Sequence, residues 1–508
     1  MGVAKFLVLH PCIAALVLAV AAGPAVAQEN KDKDAPPPLV PVRALAAPVA
    51  PVILDQLYAQ AEAAFVAQKY PEAAAKLAEL LKLAGDKPGL PLEMLHFNLG
   101  LAYLLGGKTA EAESAFEECA RKFPKGEYTS RCHLGIGKAI IAQGENLRRP
   151  VAVEAFKQAG TDPRLQVEAA VALGQVYLDR EQRDEVLEVL RPLIGAEVGT
   201  AQQTSAAVDA IGLLAKCKGS EDLAAFLDYL GSQPGVRDAI AWYANQIVVK
   251  GDESVKDPSE NWEAALAIYR SVPPRAQILE MQSAALMKKQ TELASLKARR
   301  AAEEQEGGLA GRSNIAELTI QAEAAIKLMI QAKTAIEGMP DFDAALLMRR
   351  GRCYYYADLP RDEEALMCFS TIREKYPDAT DAQAAAYAEI VMCKIPRDSA
   401  MLQTLATAYT AKYPDAPNLA NVLLLVGQTF TVAGDWAKAQ GVYEDLATRF
   451  PQAQNMEGIR FNIAEAVLRQ GDTTKAKALF EQFLKDYPNS SMKEGVEGRL
   501  ETIKAQSK

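Results

Sequence analysis

Tyr376-Pro377-Asp378, Tyr413-Pro414-Asp415, Phe450-Pro451-Gln452 and Tyr487-Pro488-Asn489 repeat one theme at intervals of 37 residues. A fixed period of this length marks stacked supersecondary units, each a helical hairpin too small to bury its own apolar face. The spacing between two of the prolines has a physical reading. Gly427 on a first helix and Ala439 on a second are both small, as closely crossing helices require, and Phe430 and Tyr443 are bulky enough to fill the space beside the crossing. Gly434 suits a left-handed helix C-terminus and Asp435 the N-cap of the following helix. Pro451 stops that helix, because proline cannot continue one. Ala464, Val467, Ala476, Phe480 and Pro488 repeat the arrangement, with Gly471-Asp472 at the turn.

The period reaches outward over most of the chain. Gly351, Tyr354, Ala365 and Phe369 open this second run near Phe342. Ser491 is placed to cap a last helix striped by Met492, Val496, Leu500 and Ile503, the terminal lid that a repeat array needs. A first run starts near Leu54 with a degenerate unit carrying Phe65, Tyr70, Ala73 and Leu77. Gly100, Tyr103, Ala112, Phe116 and Pro124 make the next unit plain, and the small position returns at Gly137, Gly174 and Ile211. Residues 144–150 read as an insertion before Ala152 and Phe156. A sixth unit pairs residues 239–249 with 262–269, and the polar stretch 251–261 reads as a surface loop.

Residues 276–305 break the pattern as a long, charged helical run, followed by Gly307, Gly308 and Gly311 and a second helix to about Ile336. There Leu318, Ala322, Ala325, Met329, Ala332 and Ile336 alternate by four and three, a coiled-coil seam facing Leu279, Leu286 and Leu293. The expected architecture is all-α: a right-handed solenoid in two blocks, 54–272 and 339–508, with a long helical hairpin at 273–338.

Composition sets the cellular context. Lys5, an apolar run over residues 6–20 and Ala25-Val26-Ala27 read as a secretory leader, 1–27, cleaved before Gln28. Residues 28–53, with Pro36, Pro37, Pro38, Pro41, Pro48 and Pro51, read as an extended linker. The formal charge is −9, and no block of Lys and Arg interrupts it, which argues against nucleic acid as a partner. No segment beyond the leader is apolar enough to cross a membrane. Six cysteines follow the leader, too few for a disulfide framework in a chain of this length. Cys119, late in one second helix, and Cys132, early in the next first helix, are placed to pair.

The spacings of Gly427, Phe430, Ala439, Tyr443 and Pro451 resemble the tetratricopeptide signature. The variant ending in Tyr-Pro-Asp or Tyr-Pro-Asn and then a small residue, as at Tyr376 to Ala379, Tyr413 to Ala416 and Tyr487 to Ser490, resembles repeats of bacterial envelope proteins. Two such families are the BamD-like outer-membrane assembly lipoproteins and the CpoB/YbgF-like periplasmic proteins of the Tol system. The chain departs from both. Gln28 stands where a lipid-anchored protein needs Cys, the helical hairpin is mid-chain, and the repeats are more numerous. The resemblance implies a right-handed tetratricopeptide solenoid that binds protein segments in its concave groove, in the periplasm or envelope of a Gram-negative-type bacterium.

Catalytic chemistry leaves little trace. His96 and His133 each precede a repeat glycine by four residues, the bulky packing position of a first helix. Cys132 and His133 are adjacent and point about 100° apart on a helix, so they make no nucleophile–base pair. The sequence carries no metal-ligand, phosphate-loop or nucleophile-elbow motif and implies no cofactor. One cluster stands out: Arg349, Arg350, Arg352, Tyr354, Tyr355 and Tyr356 crowd a single first helix. With Gly351 at the crossing, Met348, Arg352, Tyr355 and Tyr356 fall on the face that lines the groove. Arg349, Arg352, Tyr355 and Tyr356 are therefore the candidate peptide-binding residues, suited to an extended or acidic segment. Three readings stand: a non-enzymatic envelope scaffold; a periplasmic adaptor of an energised system or of outer-membrane assembly, docking or oligomerising through residues 273–338; and an envelope enzyme framed by the solenoid, which requires a deep pocket with converging carboxylates.

Overall fold

The computed structural model describes residues 51–86, 90–144, 146–217, 221–256, 260–305, 315–393 and 399–506. The expected leader and most of the expected linker lie outside them. All the regular structure among the described residues is helical, in two compact units that divide between Phe342 and Asp343.

In the first unit, hairpins pair α1 (Pro51–Val66) with α2 (Tyr70–Ala84), α3 (Leu92–Leu105) with α4 (Thr109–Lys122), and α5 (Thr129–Gln143) with α6 (Arg149–Ala159). Then α7 (Gln166–Leu178) pairs with α8 (Arg183–Leu190) and α9 (Ala201–Leu214) precedes α10 (Glu221–Gly231). After the single turn α11 (Pro234–Asp238), α12 (Ile240–Ser254) pairs with α13 (Trp262–Ser271), and α14 (Arg275–Gln305) with α15 (Ile315–Glu337). The second unit continues with α16 (Phe342–Tyr356), α17 (Asp362–Lys375), α18 (Ala382–Met392), α19 (Ser399–Lys412) and α20 (Leu419–Ala433). It ends with α21 (Trp436–Arg449), α22 (Met456–Arg469), α23 (Thr473–Asp486) and the lid α24 (Lys493–Gln506).

Local sterics set the period. The residue before a proline is driven out of helical geometry. Tyr376 (φ −128°, ψ 51°), Phe450 (−127°, 62°) and Tyr487 (−129°, 63°) each end a helix this way, as does Phe123 (−126°, 62°) before Pro124. The freed aromatic does not go to water: Tyr376, Tyr413, Phe450 and Tyr487 pack on the cores beside them. At the other turn Gly434 adopts φ 75°, and Asp435 accepts from Lys438 N. Asp472 does the same for Lys475 N at 2.9 Å. The small positions stand over rings. A Cβ on Gly100 would lie 2.6 Å from the Phe116 ring, and one on Gly137 or Gly351 would lie 2.5 Å from Phe156 or Phe369. On Gly427 it would run into Tyr443.

Four details differ from the sequence reading. Helix α1 begins at Pro51, so the last three residues of the expected linker are helical; proline fits a first helical turn because its missing N–H would have no partner there. Gly251 is not in a surface loop. Helix α12 runs through it to Ser254, and a Cβ on it would lie 2.5 Å from the buried Tyr269 ring, so it is the small residue of the sixth crossing. The last helix is started by Ser490, whose Oγ accepts from Met492 N at 2.9 Å, and not by Ser491. In the coiled-coil seam Ala322, Met329, Ala332 and Ile336 are buried as expected, whereas Leu318 is exposed.

The long hairpin is anchored at its base. Gln282 on α14 is fully buried where α11 breaks into α12; its Nε2 donates to Asp238 O and its Oε1 accepts from Ala241 N, both at 3.0 Å. Arg275 donates to the carbonyls of Ile336 and Glu337, closing the end of α15 at 3.0 and 2.6 Å. Farther out, Ala285, Leu286, Ile326 and Met329 form a small core with Leu293 against it.

One buried charge has a pH consequence. Glu389 on α18 is 0% exposed; one carboxylate oxygen accepts from Arg373 Nε at 2.8 Å, and the other has no protein donor. Burial outweighs the guanidinium and pushes the Glu389 carboxyl above the ordinary range. For Arg373, burial would lower the pKa, but its bonds to Glu389 and Glu374 outweigh that and raise it.

Three outcomes follow from this packing. Gly427→Leu should destabilise the second unit by more than about 2 kcal/mol, because the new side chain must displace Tyr443; an unchanged denaturation curve would remove Gly427 from the crossing. Gln282→Leu should cost about 1–3 kcal/mol in the first unit by orphaning a backbone donor and acceptor, read as a lower denaturation midpoint at constant slope. Glu389 has a folded pKa above its unfolded one, so its favourable contribution is full below the unfolded value, near 4.3, and is lost as pH rises through the folded value. Glu389→Gln, which can still accept from Arg373, should therefore be more stable than wild type at pH 8 by about 1 kcal/mol, with the margin closing towards pH 4. A variant less stable at pH 8 would mean that the ion pair prevails over burial.

Candidate functional site

The Arg and Tyr cluster on α16 is organised by its glycine. Gly351 sits over the buried ring of Phe369 from α17, which turns one face of α16 into core. Arg352 and Tyr356, one and five residues on, stand about 100° and 140° round the helix from it. Arg352 is exposed, Tyr355 is 41% exposed and Tyr356 52%. The two tyrosine rings lie 5.0 Å apart at 85°, an edge-to-face pair that gives both rings a defined orientation.

The remaining members divide. Arg349 is half-buried and its Nη1 donates to Ala345 O at 3.3 Å, one turn back along its own helix. Arg350 lies near Cys368 on α17, where burial pushes the thiol up to about 11 although the guanidinium pulls it down. Tyr354 packs against the core and carries the Arg361 guanidinium 5.1 Å above its ring. Met348, expected on the binding face, is half-buried on that same core. The sequence reading missed Leu359, 80% exposed in the turn after α16 and three residues beyond Tyr356. The signal was available: an apolar residue in the polar connection Asp358 to Asp362 has no helical packing position to fill. The exposed set is thus Arg352, Tyr355, Tyr356 and Leu359, one cation with two aromatics and an aliphatic.

His96 is a packing residue, and His133 is half-buried. His96 is buried beside Phe123, ring centroids 6.2 Å apart, with its Nε2 3.4 Å from Lys122 Nζ. Burial and then the Lys122 charge lower its pKa, and burial alone lowers that of His133. Among the described residues no group of three or more His, Cys, Asp and Glu could hold a metal ion. No described helix is long and apolar enough to cross a membrane. Cys119 and Cys132 are both buried in the first unit, with free thiols.

Comparison with known proteins places the repeats. Residues 58–127 match the family described as Tetratricopeptide repeat, and residues 426–496 match the family described as YfiO: Outer membrane lipoprotein. No curated protein matches the chain. Among solved structures, the APC/C hetero-tetramer Cut9–Hcn1 aligns over 90% of this chain and 91% of its own, at 14% identity and a TM-score of 0.28. Naa15/Naa10 bound to HypK-THB aligns over 89% of this chain and 66% of its own, at 14% identity and a TM-score of 0.23. Neither score carries an argument about this chain. Helix pairing, residue spacing and the two family matches identify the repeats as tetratricopeptide repeats, those over 426–496 being similar to the outer-membrane lipoprotein family.

Proposed function

We propose that this chain is an exported, non-enzymatic scaffold of the bacterial envelope that captures protein segments along the first helices of its repeats. The observation that carries the reading is the exposed Arg352, Tyr355 and Tyr356 set on a helix that Gly351 and Phe369 lock into the core. Repeat solenoids bind along this row of first helices, because successive repeats offer many side chains to one extended ligand. Arginine and tyrosine are favoured at binding hot spots, and a guanidinium holds a carboxylate through two parallel hydrogen bonds. The natural ligand is an extended segment with an acidic side chain or a free C-terminal carboxylate, its apolar residues lying on the tyrosines and Leu359.

A role in outer-membrane assembly is supported by the match of residues 426–496 to an outer-membrane lipoprotein family. In that reading the hairpin of α14 and α15 is a second docking element; Met287 and Ile320 are exposed on it at 70% and 64%.

Cross-linking capture from the envelope and cytoplasmic fractions, compared side by side, is the test. Arg352→Ala with Tyr355→Ala should weaken capture of the main partner by about 2 kcal/mol, some thirtyfold in Kd, at an unchanged melting temperature. Equal capture by the double variant would remove the patch from the binding site, and a partner recovered only from the cytoplasm would remove the envelope from the proposal.

A further inference from the structure

Two thiols meet at the joint between the second and third repeats. Cys119 lies in the last turn of α4 and Cys132 in the first turn of α5, and both belong to one core with no exposed surface. Glu93, at the start of α3, fixes the joint from both sides. Its backbone carbonyl accepts from Cys119 Sγ at 3.4 Å, while its carboxylate accepts from Tyr128 N at 2.6 Å and Glu127 N at 3.1 Å. The carbonyl of Tyr128 in turn accepts from Cys132 N at 2.8 Å. The Cys132 thiol thereby faces the same corner of the core as Cys119, close enough for the two groups to influence each other electrostatically. Cys217, by contrast, points to the carbonyls of Leu213 and Arg183, at 3.5 and 3.9 Å.

We propose that Cys119 and Cys132 form a disulfide when the chain folds in an oxidising compartment, cross-linking the second helix of one repeat to the first helix of the next. The oxidant is a disulfide, either of a small molecule such as oxidised glutathione or of an exchange protein. One cysteine thiolate attacks it, forms a mixed disulfide and expels one thiol. The thiolate of the other cysteine then attacks the mixed disulfide and expels the second. The pair gives up two protons and two electrons, and the oxidant's disulfide becomes two thiols. The bond closes a loop over residues 120–131 and so removes freedom from the unfolded chain.

The same burial decides when this chemistry can run. The thiolate is the reacting species, and the contact with Cys119 together with burial pushes the Cys132 thiol far up. Both cysteines are 0% exposed, so in the folded joint neither an oxidant nor a reductant reaches them. Its redox state is set while α4 and α5 close on each other and is kept afterwards, which makes the pair a record of the compartment in which folding took place.

The test is to synthesise the full chain in a cell-free system, once in a glutathione redox buffer and once with dithiothreitol. The soluble product is alkylated under denaturing conditions and its peptides are mapped. The expected result is a Cys119–Cys132 cross-linked peptide and two fewer alkylated thiols in the oxidised sample. Dithiothreitol added to the folded oxidised protein should not restore them until denaturant is added. Alkylation of both cysteines in both samples overturns the proposal. So does a dominant pairing of either residue with another cysteine, and so does rapid reduction of the bond in the folded protein.

Discussion

Five of the repeats rest on an aromatic ring seated against a residue that has no side chain. Phe116 under Gly100, Phe156 under Gly137, Tyr269 under Gly251, Phe369 under Gly351 and Tyr443 under Gly427 are one contact made five times. The glycine lets two helix backbones approach, and the ring fills what would otherwise be a void between them. Burying such a ring is worth about 1.5–3 kcal/mol, and any Cβ on the glycine turns that gain into overpacking. Where the chain relaxes the rule, the hairpin changes with it. Gly174 faces Leu190 and Leu213 in place of a ring, and the second helix of that repeat stops after eight residues, before Pro192.

The same rings carry the repeats from one to the next. Phe116 lies between Gly100 on α3 and Gly135 on α5, each of which would put a Cβ 2.6 Å from the ring, so a single side chain serves its own hairpin and the following one. Phe450, displaced from its helix by Pro451, packs on the cores on both sides of it. Polar ties reinforce the joints. Glu113 on α4 holds Arg148 and Gln143 of the next hairpin, and Glu465 holds Arg499 of the lid at 2.8 Å. Stability in such an array is close to a sum of hairpins and nearest-neighbour interfaces, so a change at one crossing is felt by its neighbours first.

This explains which parts of the structure could be read from the sequence. Tyr-Pro-Asp and Gly-Asp turns were legible because their causes are local: a proline's ring excludes helix at the preceding residue, and a glycine accepts a left-handed cap. Gly251 was misread because its local context, Gly251-Asp252-Glu253-Ser254, is that of a turn. Only the ring of Tyr269, brought in by the tertiary fold, makes it a crossing residue. Gln282 gave no signal at all, since a glutamine in a charged helix looks like surface until the break between α11 and α12 supplies a donor and an acceptor for it to satisfy. The candidate site was legible to the same degree. Gly351 set the direction of Arg352 and Tyr356 by helical geometry alone, but nothing in the sequence tells that Arg350 lies near enough to Cys368 to affect its thiol or that Leu359 is left outside the core.

That division between constrained and unconstrained faces bears on how the frame can serve function. On α16 the crossing residue cannot change without striking Phe369, so the orientation of the helix is fixed from the core side. Arg352 and Tyr356 inherit that orientation. Their directions are thus held by a contact made elsewhere on the helix. Tyrosine loses little side-chain freedom on binding, and an arginine fork is already planar, so residues presented in this way give up less entropy on meeting a partner than the same residues on a loop. The chain carries a formal charge of −9, and in the proposed role Arg352 supplies the cation that meets a carboxylate while the two tyrosines supply the apolar contact.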